Sequence, residues 1–247
     1  MRSTRLIMGM PVTVEIVRLA DAALMDEVFT WFEAVDRRFS TYKPDSEISS
    51  INRRTHPSGE WSGEMREVLA LCETTRRDSG GYFDARTPSG AIDPSGIVKG
   101  WAILGAARMI DRSGYSNYYV DAGGDIQSSG VNAAGQPWRV GVRNPFDPAE
   151  IIKVVEPCGR GVATSGTYVR GQHIYVPGHP EKKIEDVVSL TVIGANILEA
   201  DRFATAAFAM GRGGIAFIER TPGLEGYQVL ADRTAVSTSG LQEFSPS

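Results

Sequence analysis

The sequence predicts an α+β fold, with mixed or antiparallel sheets flanked by helices. Three observations carry this. Amphipathic helical runs crowd the first half of the chain, short strand-like runs crowd the second, and the two do not alternate as a regular βαβ series would. No internal repeat, low-complexity run or linker interrupts the 247 residues. A single domain over residues 1–247, in one or two lobes, is therefore expected.

Residues 10–17 alternate loosely between apolar and polar and suit a first strand. Residues 19–39 then place Leu24, Val28, Trp31, Phe32 and Val35 on one helical face. A loop follows, and Ser46 caps a short helix that reaches residue 52. Another helix covers residues 62–77 and stops at Gly80-Gly81. Residues 83–96 are rich in turn formers, and a helix over 96–111 ends at Gly114. Strands are expected at 117–120, 126–129, 138–142, 152–155, 162–165, 173–176 and 187–192. A helix over 197–210 is capped by Gly211, and a shorter one covers 214–219. Strands at 227–231 and 235–239 close the chain.

Hydrophobic residues make up 42% and charged residues 23%, the balance of a soluble globular protein. The net charge of -4 gives no general attraction to nucleic acid or to an anionic membrane. An anionic ligand would need local basic groups, backbone N–H donors or a metal ion. No run reaches the length of a transmembrane helix. The first residues include Arg2 and Arg5 but no apolar segment of the signal-peptide kind, and Pro11 follows at once. A cytoplasmic protein is expected, unless a leader has been trimmed. Cys72 reads as a small buried hydrophobe and Cys158 as a turn residue. Their spacing gives no CxxC motif or metal pattern, and a bond between them is left open.

Five segments could carry chemistry. Asp201 and Thr205 lie four apart on a helical run and share a face. Two oxygen donors suit Mg²⁺ rather than zinc, although an exposed Asp beside a Thr bonded to its own helix has the same spacing. Gly96 and Lys99 open a helix just after Asp93-Pro94, where free N–H groups and an ammonium suit phosphate; a capped helix with a solvated Lys is the competing view. Asp121-Ala122-Gly123-Gly124-Asp125 permits a tight turn or a close ligand approach, and a plain hairpin turn fits as well. Thr164-Ser165-Gly166 offers small donors, with His173 seven residues beyond Gly166; such a lone His more often satisfies a structural hydrogen bond. Tyr42 can stack on a planar ring or anchor its loop.

Taken in order, these segments resemble the ApbE family. The residues that carry the likeness include Met8-Gly9-Met10-Pro11, Phe39-Ser40-Thr41-Tyr42, Gly81-Tyr82-Phe83-Asp84 and Ile92-Asp93 with Lys99-Gly100. Ala122-Gly123-Gly124-Asp125, Trp138-Arg139-Val140-Gly141, Ala163-Thr164-Ser165-Gly166 and Ala200-Asp201 with Thr205 complete it. The resemblance runs from about residue 8 to 240.

It implies a flavin transferase that binds FAD, cuts its pyrophosphate with Mg²⁺, and passes FMN to a Thr or Ser hydroxyl of an acceptor protein, releasing AMP. Asp201 and Thr205 would hold the metal, with a backbone carbonyl at Gly96. Tyr42, Asp93, Ala122, Gly123, Gly124, Asp125, Thr164, Ser165 and Gly166 would line the FAD site. His173 would act in transfer, and Lys99 would support the phosphate region. Three departures from the family pattern stand out. Asp84 to Ile92 is short, Asp121 replaces an Asn, and Tyr175-Val176-Pro177-Gly178 replaces an Asp-Pro-x-Thr-Gly turn. Two alternatives remain: a pyrophosphatase yielding FMN and AMP, and a non-catalytic FAD-binding protein.

Overall fold

The computed structural model describes residues 1–166 and 183–246. The chain opens on β1 (Arg2–Ile7) and β2 (Met10–Ile16), followed by the helices α1 (Ala23–Phe39), α2 (Glu47–Asn52), α3 (Gly63–Asp78) and α4 (Ser95–Arg112). Strands β3 (Tyr118–Ala122), β4 (Asp125–Ser129), β5 (Val140–Asn144), β6 (Asp147–Val155), β7 (Gly161–Gly166) and β8 (Val187–Gly194) come next. Helices α5 (Ile197–Ala209) and α6 (Gly214–Arg220) precede β9 (Glu225–Leu230) and β10 (Ala235–Ser237). The α+β expectation holds: among the described residues, eight strands form one antiparallel sheet in the order β1-β2-β3-β4-β7-β8-β9-β10, and β5 and β6 form a separate hairpin.

Helix α4 buries most of its middle, including Ile97, Val98, Trp101, Ala102, Ile103, Ala106, Ala107 and Ile110, and leaves Arg108, Asp111 and Arg112 exposed near its C-terminus. A helix with so broad an apolar surface packs into the core, and α4 lies between α1, α3 and α5, against the sheet. Helix α5 faces β7 and β8 with Ala200, Ala204, Ala206 and Ala207 buried. Glycines on the strands let it approach closely: a Cβ on Gly161 would lie 2.1 Å from the Ile197 nitrogen, and one on Gly194 2.9 Å from the Ala200 nitrogen. A smaller apolar cluster joins Ile126, Val162 and Ile193 of the sheet to Val140 and Val155 of the β5–β6 hairpin and to Leu241 and Phe244.

Four boundaries differ from expectation. Strand β1 was not anticipated, because Arg2, Thr4 and Leu6 are exposed and only Ile7 is buried. It is an edge strand, and its polar residues guard an open edge. Helix α1 begins at Ala23 rather than 19, because Arg18 has φ 55° and Asp21 Oδ1 accepts the Ala23 N–H at 2.9 Å. Strand β6 starts five residues earlier than expected: Asp147-Pro148-Ala149-Glu150 reads as loop, but Asp147 pairs with Asn144 of β5 and the strand continues from it. Strand β10 is short, and a 3₁₀ turn over Ser239–Phe244 follows it. The strand expected at 173–176 lies outside the described residues.

Among the described residues, no helix is long and apolar enough to cross a membrane. Cys72 and Cys158 are both free thiols.

Candidate active site

Two helices, the sheet and the β5–β6 hairpin converge on a cavity of about 760 Å³, within the roughly 300–1,000 Å³ common for ligand sites. The N-terminus of α4 supplies Ser95, Gly96 and Lys99, and α5 supplies Asp201 and Thr205. The β3–β4 turn supplies Asp121, Gly123, Gly124 and Asp125. Strand β7 gives Thr164, Ser165 and Gly166, and the hairpin gives Gly141, Val142, Arg143 and Pro148.

The Gly123-Gly124 segment is a two-residue hairpin turn, with φ 63° and 97°. Both torsions belong to the left-handed region that a tight β-hairpin of this kind needs. Asp121 Oδ1 accepts the Gly124 N–H at 2.8 Å and fixes the turn, while the Gly123 N–H donates to the Pro11 carbonyl at 3.1 Å. The turn is thus a structural hairpin that also forms part of the cavity wall. Burial pushes the Asp121 carboxyl above its usual range, against the Gly124 N–H and the Tyr119 hydroxyl.

The charged centre lies where α4, α5 and β4 meet. Lys99 Nζ is 2.5 Å from Asp125 Oδ2 and 3.8 Å from Asp201 Oδ1. Asp125 is 1% exposed, and its Oδ1 accepts the Thr164 N–H at 3.0 Å. Asp125 therefore ties the turn to β7 and anchors the ammonium. Asp201 is 3% exposed, and its Oδ2 accepts the Gly100 N–H at 2.7 Å. Burial raises the Asp201 carboxyl well above the ordinary range; the Lys99 ammonium opposes the rise, and the Asp125 carboxylate adds to it. Lys99 is not a solvated side chain but part of this buried charge cluster.

Thr205 sits one turn beyond Asp201 and makes no hydrogen bond among the described residues, in particular none back to its own helix. A Cβ on Gly96 would lie 3.2 Å from Thr205 Cγ2 and 3.6 Å from its Oγ1, so the first turn of α4 and Thr205 are in contact. A buried carboxylate, an unbonded hydroxyl and the nearby backbone of Gly96 form an all-oxygen donor set. That set suits a small hard dication. Among the described residues, no cluster of three or more His, Cys, Asp or Glu side chains is placed to hold a metal.

Asp93 lines the cavity, and its Oδ1 accepts the Ser95 N–H at 3.0 Å, starting α4. Two expected site residues fall elsewhere. Tyr42 is 96% exposed in the turn after α1 and is not among the lining residues. Ala122 is buried in the core behind the turn. His173 lies outside the described residues. Tyr82, Thr87 and Arg143 line the cavity without having been singled out as site residues. Tyr82 belonged to a motif that marked the family, and Arg143 lay in no motif considered.

A family model described as the ApbE family matches residues 8–89 and 85–228. The chain belongs to the ApbE family. An FAD:protein FMN transferase of Vibrio cholerae is 35% identical over 253 aligned positions, covering 78% of this chain and 75% of that protein. One from Salmonella typhimurium is 31% identical over 166 positions, covering 64% of this chain and 47% of that protein. The chain thus spans about half the length of that relative and of its Escherichia coli counterpart. Among solved structures, a flavin transferase ApbE from Vibrio cholerae superimposes with a TM-score of 0.86 at 25% identity. That match covers 99% of this chain and 98% of the other. An apbe protein from Thermotoga maritima has the same fold, with a TM-score of 0.86 at 19% identity.

Proposed function

We propose that this ApbE-family chain is a Mg²⁺-dependent transferase that passes FMN from FAD to a Thr or Ser hydroxyl of an acceptor protein, with AMP as the other product. The observation that carries the reading is the convergence of Asp201, Thr205 and the Gly96 backbone on one cavity with the Gly123-Gly124 turn and β7. In this reading residues 1–247 form one catalytic domain.

Asp201 and Thr205 hold the metal, with the Gly96 carbonyl as a third oxygen. When bound, Mg²⁺ supplies positive charge that offsets the charge developing on the pyrophosphate. The Gly123-Gly124 turn lets the flavin nucleotide come close to the backbone. Thr164, Ser165 and Gly166 present donors along one edge of the ligand, and Asp93 with the first turn of α4 lies beside the phosphates. The acceptor oxygen attacks the FMN phosphorus, the bond from that phosphorus to the bridging oxygen breaks, and AMP leaves with that oxygen. His173 takes the hydroxyl proton. Asp125 fixes Lys99 close to the reacting phosphate, where its ammonium adds positive charge to the site.

The test is incubation with FAD, Mg²⁺ and a candidate acceptor, with AMP followed by chromatography and the acceptor by mass spectrometry. AMP together with an FMN mass increment on a Thr or Ser supports transfer. AMP with free FMN and an unmodified acceptor identifies a pyrophosphatase instead. FAD binding without AMP identifies a flavin-binding protein.

A further inference from the structure

The β5–β6 hairpin brings into the cavity a side chain with no role so far. Arg143 lines the cavity and is exposed, and it makes no hydrogen bond or ion pair with the described residues. The ladder is irregular on both sides of it, between Val142 and Arg143 and between Arg143 and Asn144. Irregularities of this kind bend a strand and re-aim a side chain. Its neighbour Val142 is buried, so the hairpin is anchored at the point where Arg143 turns towards the cavity.

The charges around the cavity say what such a cation is for. Asp84, Asp93, Asp121, Asp125 and Asp201 all line it. Among the described lining residues only Lys99 and Arg143 are cationic, and Lys99 is drawn to Asp125 and Asp201. Arg143 is close enough to Asp121 to act on its carboxyl by charge, but forms no ion pair with it. A phosphate ligand entering a wall so rich in carboxylates needs a cation with donors to spare. A guanidinium offers a planar fork that matches two phosphate oxygens.

We propose that Arg143 binds the pyrophosphate of the dinucleotide substrate and so sets the preference for FAD over phosphate-free flavins. This rests on the function proposed above. It makes Arg143 a specificity-determining residue on the hairpin, in the wall of the same cavity that Asp201 and Thr205 of α5 line.

The experiment measures affinity for FAD and for riboflavin by quenching of flavin fluorescence, with Mg²⁺ present, in the full chain and in its Arg143→Met and Arg143→Lys variants. The expected result is a loss of FAD affinity of about ten- to a hundredfold in Arg143→Met, as for a hydrogen bond to a charged group. Riboflavin affinity stays unchanged, and Arg143→Lys recovers part of the loss. Unchanged FAD affinity in Arg143→Met, or an equal loss for riboflavin, overturns the proposal and leaves the functional reading standing. A wild-type chain that does not prefer FAD to riboflavin overturns both.

Discussion

The Gly100 N–H on α4 donates to Asp201 Oδ2 on α5 at 2.7 Å, and the two helices touch at this point with nothing between them. A Cβ on Gly100 would lie 2.8 Å from the Asp201 Cβ and 2.9 Å from the Ile197 carbonyl. Gly100→Ala therefore pushes against backbone that no rotamer change relieves. The clash costs about 1–3 kcal/mol, against about 1 kcal/mol gained from helix propensity. The expected outcome is a modest net destabilisation in urea unfolding, with a clear loss of Mg²⁺ affinity as Asp201 shifts. A Gly100→Ala protein with wild-type stability and metal affinity shows that the helix contact does not position the carboxylate.

Asp201 itself predicts opposite effects with and without metal. Its carboxyl is raised by burial, so ionising it in the folded protein is disfavoured relative to the unfolded chain. For an acid shifted in this direction, stability falls as pH rises from the unfolded pKa towards the folded one, and the cost persists above both. At pH 8 in EDTA, Asp201→Asn removes that cost while keeping an acceptor for Gly100. It should melt no earlier than wild type. Added Mg²⁺ should raise the melting temperature of wild type alone, and Asp201→Asn should release no AMP from FAD. A variant that melts much earlier in EDTA would show that Lys99 needs the Asp201 charge to hold the core together.

The two cysteines should behave as different chemical species. Cys72 is buried on α3, and burial, with Asp84 and Asp93 adding to it, pushes its thiol up to about 12. At pH 8 its thiolate fraction is on the order of one in ten thousand. Cys158 is exposed in a turn with φ 50°. An aromatic disulfide reagent should label Cys158 promptly in the native protein and reach Cys72 only on unfolding. Equal labelling rates in the native state would place Cys72 outside the core.

The helices nearest the site were legible because their patterns are long and unambiguous. The α4 helix was expected over 96–111 and runs Ser95–Arg112, and α5 was expected over 197–210 and runs Ile197–Ala209. Asp201 and Thr205 share a cavity-facing side because helical spacing requires it. What no local pattern could show was that Lys99 pairs with Asp125 and Asp201 across 26 and 102 positions, since those contacts come from tertiary packing. Arg143 was missed for a related reason: its strand is short and irregular, and only the folded hairpin brings it to the cavity. Tyr42 drew attention as an aromatic residue in a loop. That loop is instead tied down by Ser46, whose hydroxyl donates to the Ser40 carbonyl, and by the Lys43–Asp36 ion pair, leaving the Tyr42 ring in solvent.

Thr205 separates a ligand from a packing residue most cleanly. Its Oγ1 makes no hydrogen bond among the described residues, yet it lines the cavity beside Gly96. If its role is packing, Thr205→Val is nearly isosteric and leaves stability and metal affinity alone, while Thr205→Ser opens a small gap and loses stability. If its role is to donate oxygen to the metal, the order reverses for binding. Thr205→Ser keeps Mg²⁺, and Thr205→Val loses it by about tenfold or more, at least as much as removing an outer partner of a metal ligand costs. Calorimetric titration of Mg²⁺ into both variants, with melting curves in EDTA, reads the two roles independently. Equal Mg²⁺ affinity in Thr205→Val and wild type removes Thr205 from the metal site and leaves Asp201 as its one described side-chain donor on α5.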